Sequence, residues 1–165
     1  SARFGSDAFA RSSPPTAPSC AGSGAVANAA QFTHTIRPRY AEVDLQGVVF
    51  NAHWLTYFDE SCTRFFEHLA YDPAVAFFSE FDIMLVKAVI EWEGPAGFDE
   101  FVAIVTEPIR IGTKSFDLRY RASVGDRRVC TGVITYVSVT PGTHESVPIP
   151  GELRGRLVAT LASEA

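Results

Sequence analysis

Cysteine is scarce in this chain, and the three present, Cys20, Cys62 and Cys130, are odd in number and widely spaced. That excludes a disulfide framework and predicts a reducing, cytoplasmic setting. The histidines His34, His53, His68 and His144 have no metal-ligand spacing with one another or with the cysteines, so no metal site is expected. No apolar run approaches the roughly 18 residues of a membrane span. Net positive charge is also missing. The net charge is -5 and the pI about 5.3, which argues against nonspecific binding to nucleic acid or an anionic membrane surface.

The charge that is present is unevenly spread. Gln31 to Glu107 holds four cations (Arg37, Arg39, Arg64, Lys87) against thirteen carboxylates. From Arg110 to Arg128 the sign reverses: Arg110, Lys114, Arg119, Arg121, Arg127 and Arg128 face only Asp117 and Asp126. A local basic strip on an acidic protein fits a small anionic ligand such as a phosphorylated cofactor, and equally the solvated outer face of a strand pair.

At 165 residues and 47% hydrophobic, the chain is one domain by size and can bury a sizeable core. Residues 1–30, rich in Ser, Ala, Pro and Gly, read as a disordered leader or linker ahead of a folded domain at 31–165. Within the domain the clearest pattern is Trp54, Tyr57, Phe58, Cys62, Phe65, Phe66 and Leu69, whose spacing puts them on one stripe of a long helix running from about Asn51 to Leu69. Most other segments alternate. Strands are expected at Gln31 to Arg39, Asp82 to Glu93, Phe101 to Ile111, Ser115 to Val124 and Arg128 to Thr140, with a bend at Pro108 and a hairpin at Gly125-Asp126. On the second strand, Met84, Val86, Ala88, Ile90 and Trp92 are expected to share a face. A short helix is expected over Asp72 to Ser79, and a surface helix over Glu152 to Leu161. Strand, helix, then a four-strand meander is an α+β layout: an antiparallel five-stranded sheet around one long helix. One helix covers one sheet face, so a second copy is expected over what remains apolar.

The chemistry is expected where the loop Glu42 to Phe50 meets the helix. A carboxylate, Asp44, just ahead of a helix N-terminus offers a base and exposed backbone amides in one short stretch, which suits attack on a carbonyl. An acid in that place can also simply stabilise the helix dipole.

Asp44-Leu45-Gln46-Gly47-Val48-Val49-Phe50-Asn51-Ala52-His53-Trp54, followed by Phe58-Asp59-Glu60, resembles the D-x-x-G-V-V-(Y/F)-x-x-x-(Y/W) signature of hotdog-fold acyl-CoA thioesterases. The branch it is most similar to is that of 4-hydroxybenzoyl-CoA thioesterase and the Tol-Pal-associated thioesterase. The likeness continues through Val86 to Glu91, Pro95 to Glu100, Ile111 to Ser115, and Tyr136 to Val139 up to Pro148-Ile149-Pro150. It implies a hotdog dimer, or a dimer of dimers, with its sites at the subunit interface. In it Asp44 would be nucleophile or general base, in the loop turned by Gly47, and the amide near Asn51 would bind the thioester oxygen. It also implies a substrate-binding set of Val49, His53 and Trp54 beside the loop, and Gly112, Thr113, Lys114 and Ser115 near pantetheine and the CoA phosphates. Lys114 is the first choice for a phosphate contact there, ahead of Arg110, Arg127 and Arg128. Asn51 stands where the Tol-Pal-associated branch has a histidine, and His53 is no matching substitute. No cofactor is expected beyond the CoA of the substrate. The readings kept open beside an acyl-CoA thioesterase are release of an acyl chain from a carrier protein, and binding of acyl thioesters without turnover.

Overall fold

The structure, a computed structural model, describes residues 31–71 and 81–161. The leader expected at 1–30 and the short helix expected over Asp72 to Ser79 lie outside the described residues. The apolar stripe forms α1, His53–His68, in which Trp54, Tyr57, Phe58, Cys62, Phe65 and Phe66 are all 3% exposed or less. At 16 residues, about 24 Å, α1 is shorter than the helix expected from Asn51 to Leu69. Ahead of it the Phe50 carbonyl already accepts the His53 N–H in a turn. Behind it Ala70 takes φ 54° and lets the Ala70 and Tyr71 amides close on the Glu67 and Phe66 carbonyls, a left-handed cap made without glycine. On its outer face Arg64 bonds Glu60 and Glu67, one turn to either side.

Five antiparallel strands curl around α1: β1 (Thr33–Ile36), β2 (Asp82–Trp92), β3 (Val102–Ile111), β4 (Ser115–Val124) and β5 (Arg127–Val139). Their spatial order is β1-β3-β4-β5-β2. The expected four-strand meander is therefore a three-strand meander, β3-β4-β5, with β2 crossing to the far side of β5. Residues 93–101 make that crossing and pair with the loop ahead of α1, where Val48 bridges Gly97. β5 is an interior strand, and Phe116, Leu118, Tyr120, Ile134 and Tyr136 of β4 and β5 face α1, all buried. The bend expected at Pro108 is present as a register shift between Pro108 and Arg110.

β2 departs from the simple alternation expected for it. A register shift between Leu85 and Lys87 leaves Met84 opposite Val137 but Ala88 opposite Ile134, on the other side of the sheet. Leu85, Ala88, Ile90 and Trp92 thus share the helix-facing side, and Met84 lies on the outer one. β2 is also an edge strand with apolar side chains in the open: Met84, Leu85, Val86, Val89 and Trp92 are 40–57% exposed.

The last helix, α2 (Gly151–Ala159), is more than a surface helix. Its Leu153 and Leu157 are fully buried, and Arg156 donates to the Leu69 carbonyl beyond the end of α1. Among the described residues the fold is thus a five-stranded antiparallel sheet with two α-helices.

Candidate active site

The loop that carries Asp44 is a small hairpin. The Phe50 N–H donates to the Glu42 carbonyl (2.9 Å), Val43 bridges Val49, and the Asp44 N–H donates to the Val48 carbonyl (2.9 Å). Asp44 closes the tip twice: its carbonyl accepts the Gly47 N–H (3.0 Å), and its Oδ1 accepts the Gln46 N–H (2.8 Å). Gly47 sits at φ +76°, which explains the glycine at this place. The returning arm leans on the 93–101 crossing, where the Val49 N–H donates to the Ala96 carbonyl (2.8 Å). Glu100 braces that crossing from outside, accepting the Gly97 N–H (2.6 Å) and pairing with Arg127 (2.8 Å). The Gly97 amide and Arg127 hold the Glu100 carboxyl below its usual range, against the effect of burial.

The hairpin runs straight into α1. Ala52, the N-cap, offers no side-chain cap, and the amides of Asn51 and Ala52 donate to no backbone acceptor among the described residues. A helix N-terminus with free amides favours negative charge, as on a thioester oxygen during attack. Asp44 is half-buried, with Oδ2 free of hydrogen bonds to described side chains. Neither described cysteine competes as a nucleophile, since burial pushes the Cys62 and Cys130 thiols up to about 12. Among the described residues no cluster of His, Cys, Asp or Glu could hold a metal ion.

The other expected site residues divide into two groups. Around the hairpin, Asn51 is exposed and His53 half-buried with its ring edge-on to Phe50, whereas Val49 and Trp54 point into the core at 3% and 2% exposure. The Gly112-Thr113-Lys114-Ser115 turn lies elsewhere. It precedes β4, while Asp44 sits beside the crossing near the other end of the sheet, and β4's ten residues span about 30 Å. At that far end Lys114 is tied to the segment before α2, its Nζ donating to the Ser146 carbonyl at 2.8 Å. The basic strip does not form one patch either. Arg110 is held by Asp117 (2.6 Å), Arg119 and Arg121 share Glu107, and Arg127 belongs to Glu100 at the Asp44 end. Arg128, 82% exposed and 3.9 Å from Glu93, keeps the freest charge of the five cations paired here with a carboxylate.

One residue of the site escaped the sequence reading. Glu42 is 5% exposed, and its carboxylate accepts the Arg39 backbone N–H (2.7 Å), Arg39 Nε (2.8 Å) and the Tyr57 hydroxyl (2.8 Å). Burial pushes the Glu42 carboxyl up, but these donors outweigh it and hold it down at about 2. Its place three residues after Arg39 lets its side chain reach back to the Arg39 N–H, the glutamate half of a capping box and the one signal that could have found it.

Comparison with known proteins adds to this geometry. A family model, the thioesterase-like superfamily, matches residues 38–157, most of the chain. The chain belongs to that superfamily. Solved structures agree on its hotdog fold. A gentisyl-coenzyme A thioesterase shares 22% identity over 77% of this chain and 99% of its own, with a TM-score of 0.70. A 1,4-dihydroxy-2-naphthoyl-CoA thioesterase from Synechocystis shares 16% over 78% and 96%, with a TM-score of 0.69. A thioesterase superfamily protein from Jannaschia sp. shares 18% over 82% and 96%, with a TM-score of 0.75. No curated protein sequence matches significantly. As a member of the thioesterase-like superfamily the protein is a thioester hydrolase, and no described helix is long and apolar enough to cross a membrane.

Proposed function

We propose that the protein is an acyl-CoA thioesterase in which Asp44 attacks the thioester carbonyl, or activates the water that does, while the amides of Asn51 and Ala52 hold the developing oxyanion. The observation that carries this is a carboxylate on a tightly bonded hairpin that leads straight into a helix start whose amides are free. Water supplies the oxygen, either directly with Asp44 as base or by cleaving the anhydride that attack by Asp44 forms; the carbon–sulfur bond breaks, and the proton that water gives up ends on the CoA thiolate. Free-thiol release from a panel of aliphatic and aromatic acyl-CoAs tests the proposal. Turnover of at least one is expected, and the aromatic acyl groups named in two of the similar structures belong in the panel. Inertness toward every acyl-CoA, with acyl-carrier-protein esters turned over instead, favours the carrier-protein reading; inertness toward both leaves a binding protein.

The working unit in this reading is a homodimer joined along β2. Its support is the open edge of β2 and the exposed Met84, Leu85, Val86, Val89 and Trp92. It also explains the separated site residues. Antiparallel pairing of two β2 strands sets the Asp82 end of one against the Trp92 end of the other. The Gly112 to Ser115 turn of one subunit then lies beside Asp44 of the second. Dilution is expected to cost activity and stability together. A monodisperse monomer, fully active at nanomolar concentration, overturns the dimer.

Lys114 is the phosphate contact in this arrangement. Lys114→Ala is expected to raise KM for CoA esters by about three- to ten-fold and to leave kcat unchanged, because phosphate binding is equal in ground and transition states. A thioester truncated at pantetheine lacks the phosphates, so the same mutation should not affect it. An equal loss of kcat on both substrates removes Lys114 from the nucleotide site.

A further inference from the structure

We propose that Glu42 is the positioning residue that sets the spacing between the Asp44 carboxylate and the amides at the head of α1, a role that rests on the reading of Asp44 given above. Three segments meet at this one side chain and its carbonyl. The side chain accepts the Arg39 backbone N–H at the start of the Tyr40–Glu42 turn, and the Tyr57 hydroxyl from the second turn of α1. The backbone carbonyl accepts the Phe50 N–H, one residue ahead of Asn51 (2.9 Å). Asp44 is two residues away along the other arm. Base and oxyanion donors are therefore both referenced to a single buried group, through contacts of at most 2.9 Å.

Packing alone does not call for this arrangement. Tyr57 is 3% exposed and lies edge-on to Trp54, with ring centroids 5.7 Å apart, so a phenylalanine ring would fill the same space. A buried carboxylate paired with an Arg39 side chain that is 79% exposed is a weak source of stability, and apolar groups of the same shape commonly serve as well or better. What the charge adds is a set of directional bonds, and these fix position. Catalytic geometry is sensitive to that: a displacement of about 1 Å can cost about 10²-fold in rate.

The test compares wild type, Asp44→Asn, Tyr57→Phe and Glu42→Gln on the acyl-CoA that wild type turns over fastest, with melting temperature and folded fraction measured alongside. Tyr57→Phe removes one oxygen and should lower kcat about ten-fold with KM within about two-fold. Glu42→Gln, which sets an amide against the Arg39 donors, should lower kcat by up to about 10²-fold. An Asp44→Asn variant that is inactive beside fully active Tyr57→Phe and Glu42→Gln overturns the positioning role alone. A rise in KM without loss of kcat, or a kcat loss that vanishes when corrected for folded protein, overturns it too. If wild type hydrolyses no thioester, or Asp44→Asn keeps full activity, the reading of Asp44 fails and the role of Glu42 falls with it.

Discussion

Asp44→Asn is expected to lower kcat for acyl-CoA hydrolysis by about 10²-fold or more, the usual loss when a general base is removed, or about 2.7 kcal/mol in the barrier. The substitution isolates the chemistry because the amide can keep the fold. Asparagine still offers an oxygen to the Gln46 N–H, and the backbone bonds from Asp44 to Val48 and Gly47 need no carboxylate. Asparagine also suits an Asx turn as well as aspartate does. Melting temperature and KM should therefore stay near wild type while turnover is lost. That pattern marks an interaction made only in the transition state. A variant that keeps near wild-type kcat as a folded protein would remove Asp44 from the reaction, and the free amides of Asn51 and Ala52 would have to serve a different base.

The two halves of the site were not equally legible in the sequence. Asp44, Gly47 and Asn51 fall within eight residues of one another, so local signals (an acid, a glycine at a turn, a helix start) were enough to bring them together on one hairpin, while the catalytic role proposed for Asp44 came from the family resemblance. The helix stripe was legible for the same reason, and every member from Trp54 to Phe66 is buried. What could not be read was long-range. Strand alternation says which residues share a face but not which strand lies beside which, so the crossing of β2 to the far side of β5 was missed. The flip of Met84 to the outer face depends on a bulge that disturbs no sequence pattern, because apolar residues occupy both registers around Val86. Glu42 was missed because an acid in a polar loop looks solvated. Only the fold brings the Tyr57 hydroxyl, fifteen residues away, to its carboxylate. The distance between Gly112-Ser115 and Asp44 was hidden likewise, since motif order along a chain carries no information about which end of the sheet each motif occupies.

The largest effect on stability is expected far from any of these polar groups, at Gly132. On β5 this residue lies between Tyr120 of β4 and Ile90 of β2, beneath α1. A Cβ added there would sit 2.6 Å from Phe58 Cε2 and 3.0 Å from Cδ2. The Phe58 ring has little room to withdraw: it is fully buried, stacked on Tyr120 with centroids 4.8 Å apart, and flanked by Trp54 at 6.2 Å. Tyr120 is itself bonded through its hydroxyl to Tyr136. Gly132→Ala must therefore push α1 off the sheet or force Phe58 out of its rotamer, and overpacking of this kind costs about 1–3 kcal/mol or more. For a domain of this size that is a fall in melting temperature of very roughly 5–10 °C. Phe58 is in the second turn of α1, so the displacement should reach the head of the helix and lower kcat as well. Phe58→Leu alone should also destabilise, by opening space. Combined with Gly132→Ala it should recover part of the loss, a favourable coupling that a double-mutant cycle reads directly. Additive losses, or a Gly132→Ala protein that melts with wild type, would mean that the close approach of α1 to β5 is not what holds the helix, and with it the free amides of Asn51 and Ala52, in place.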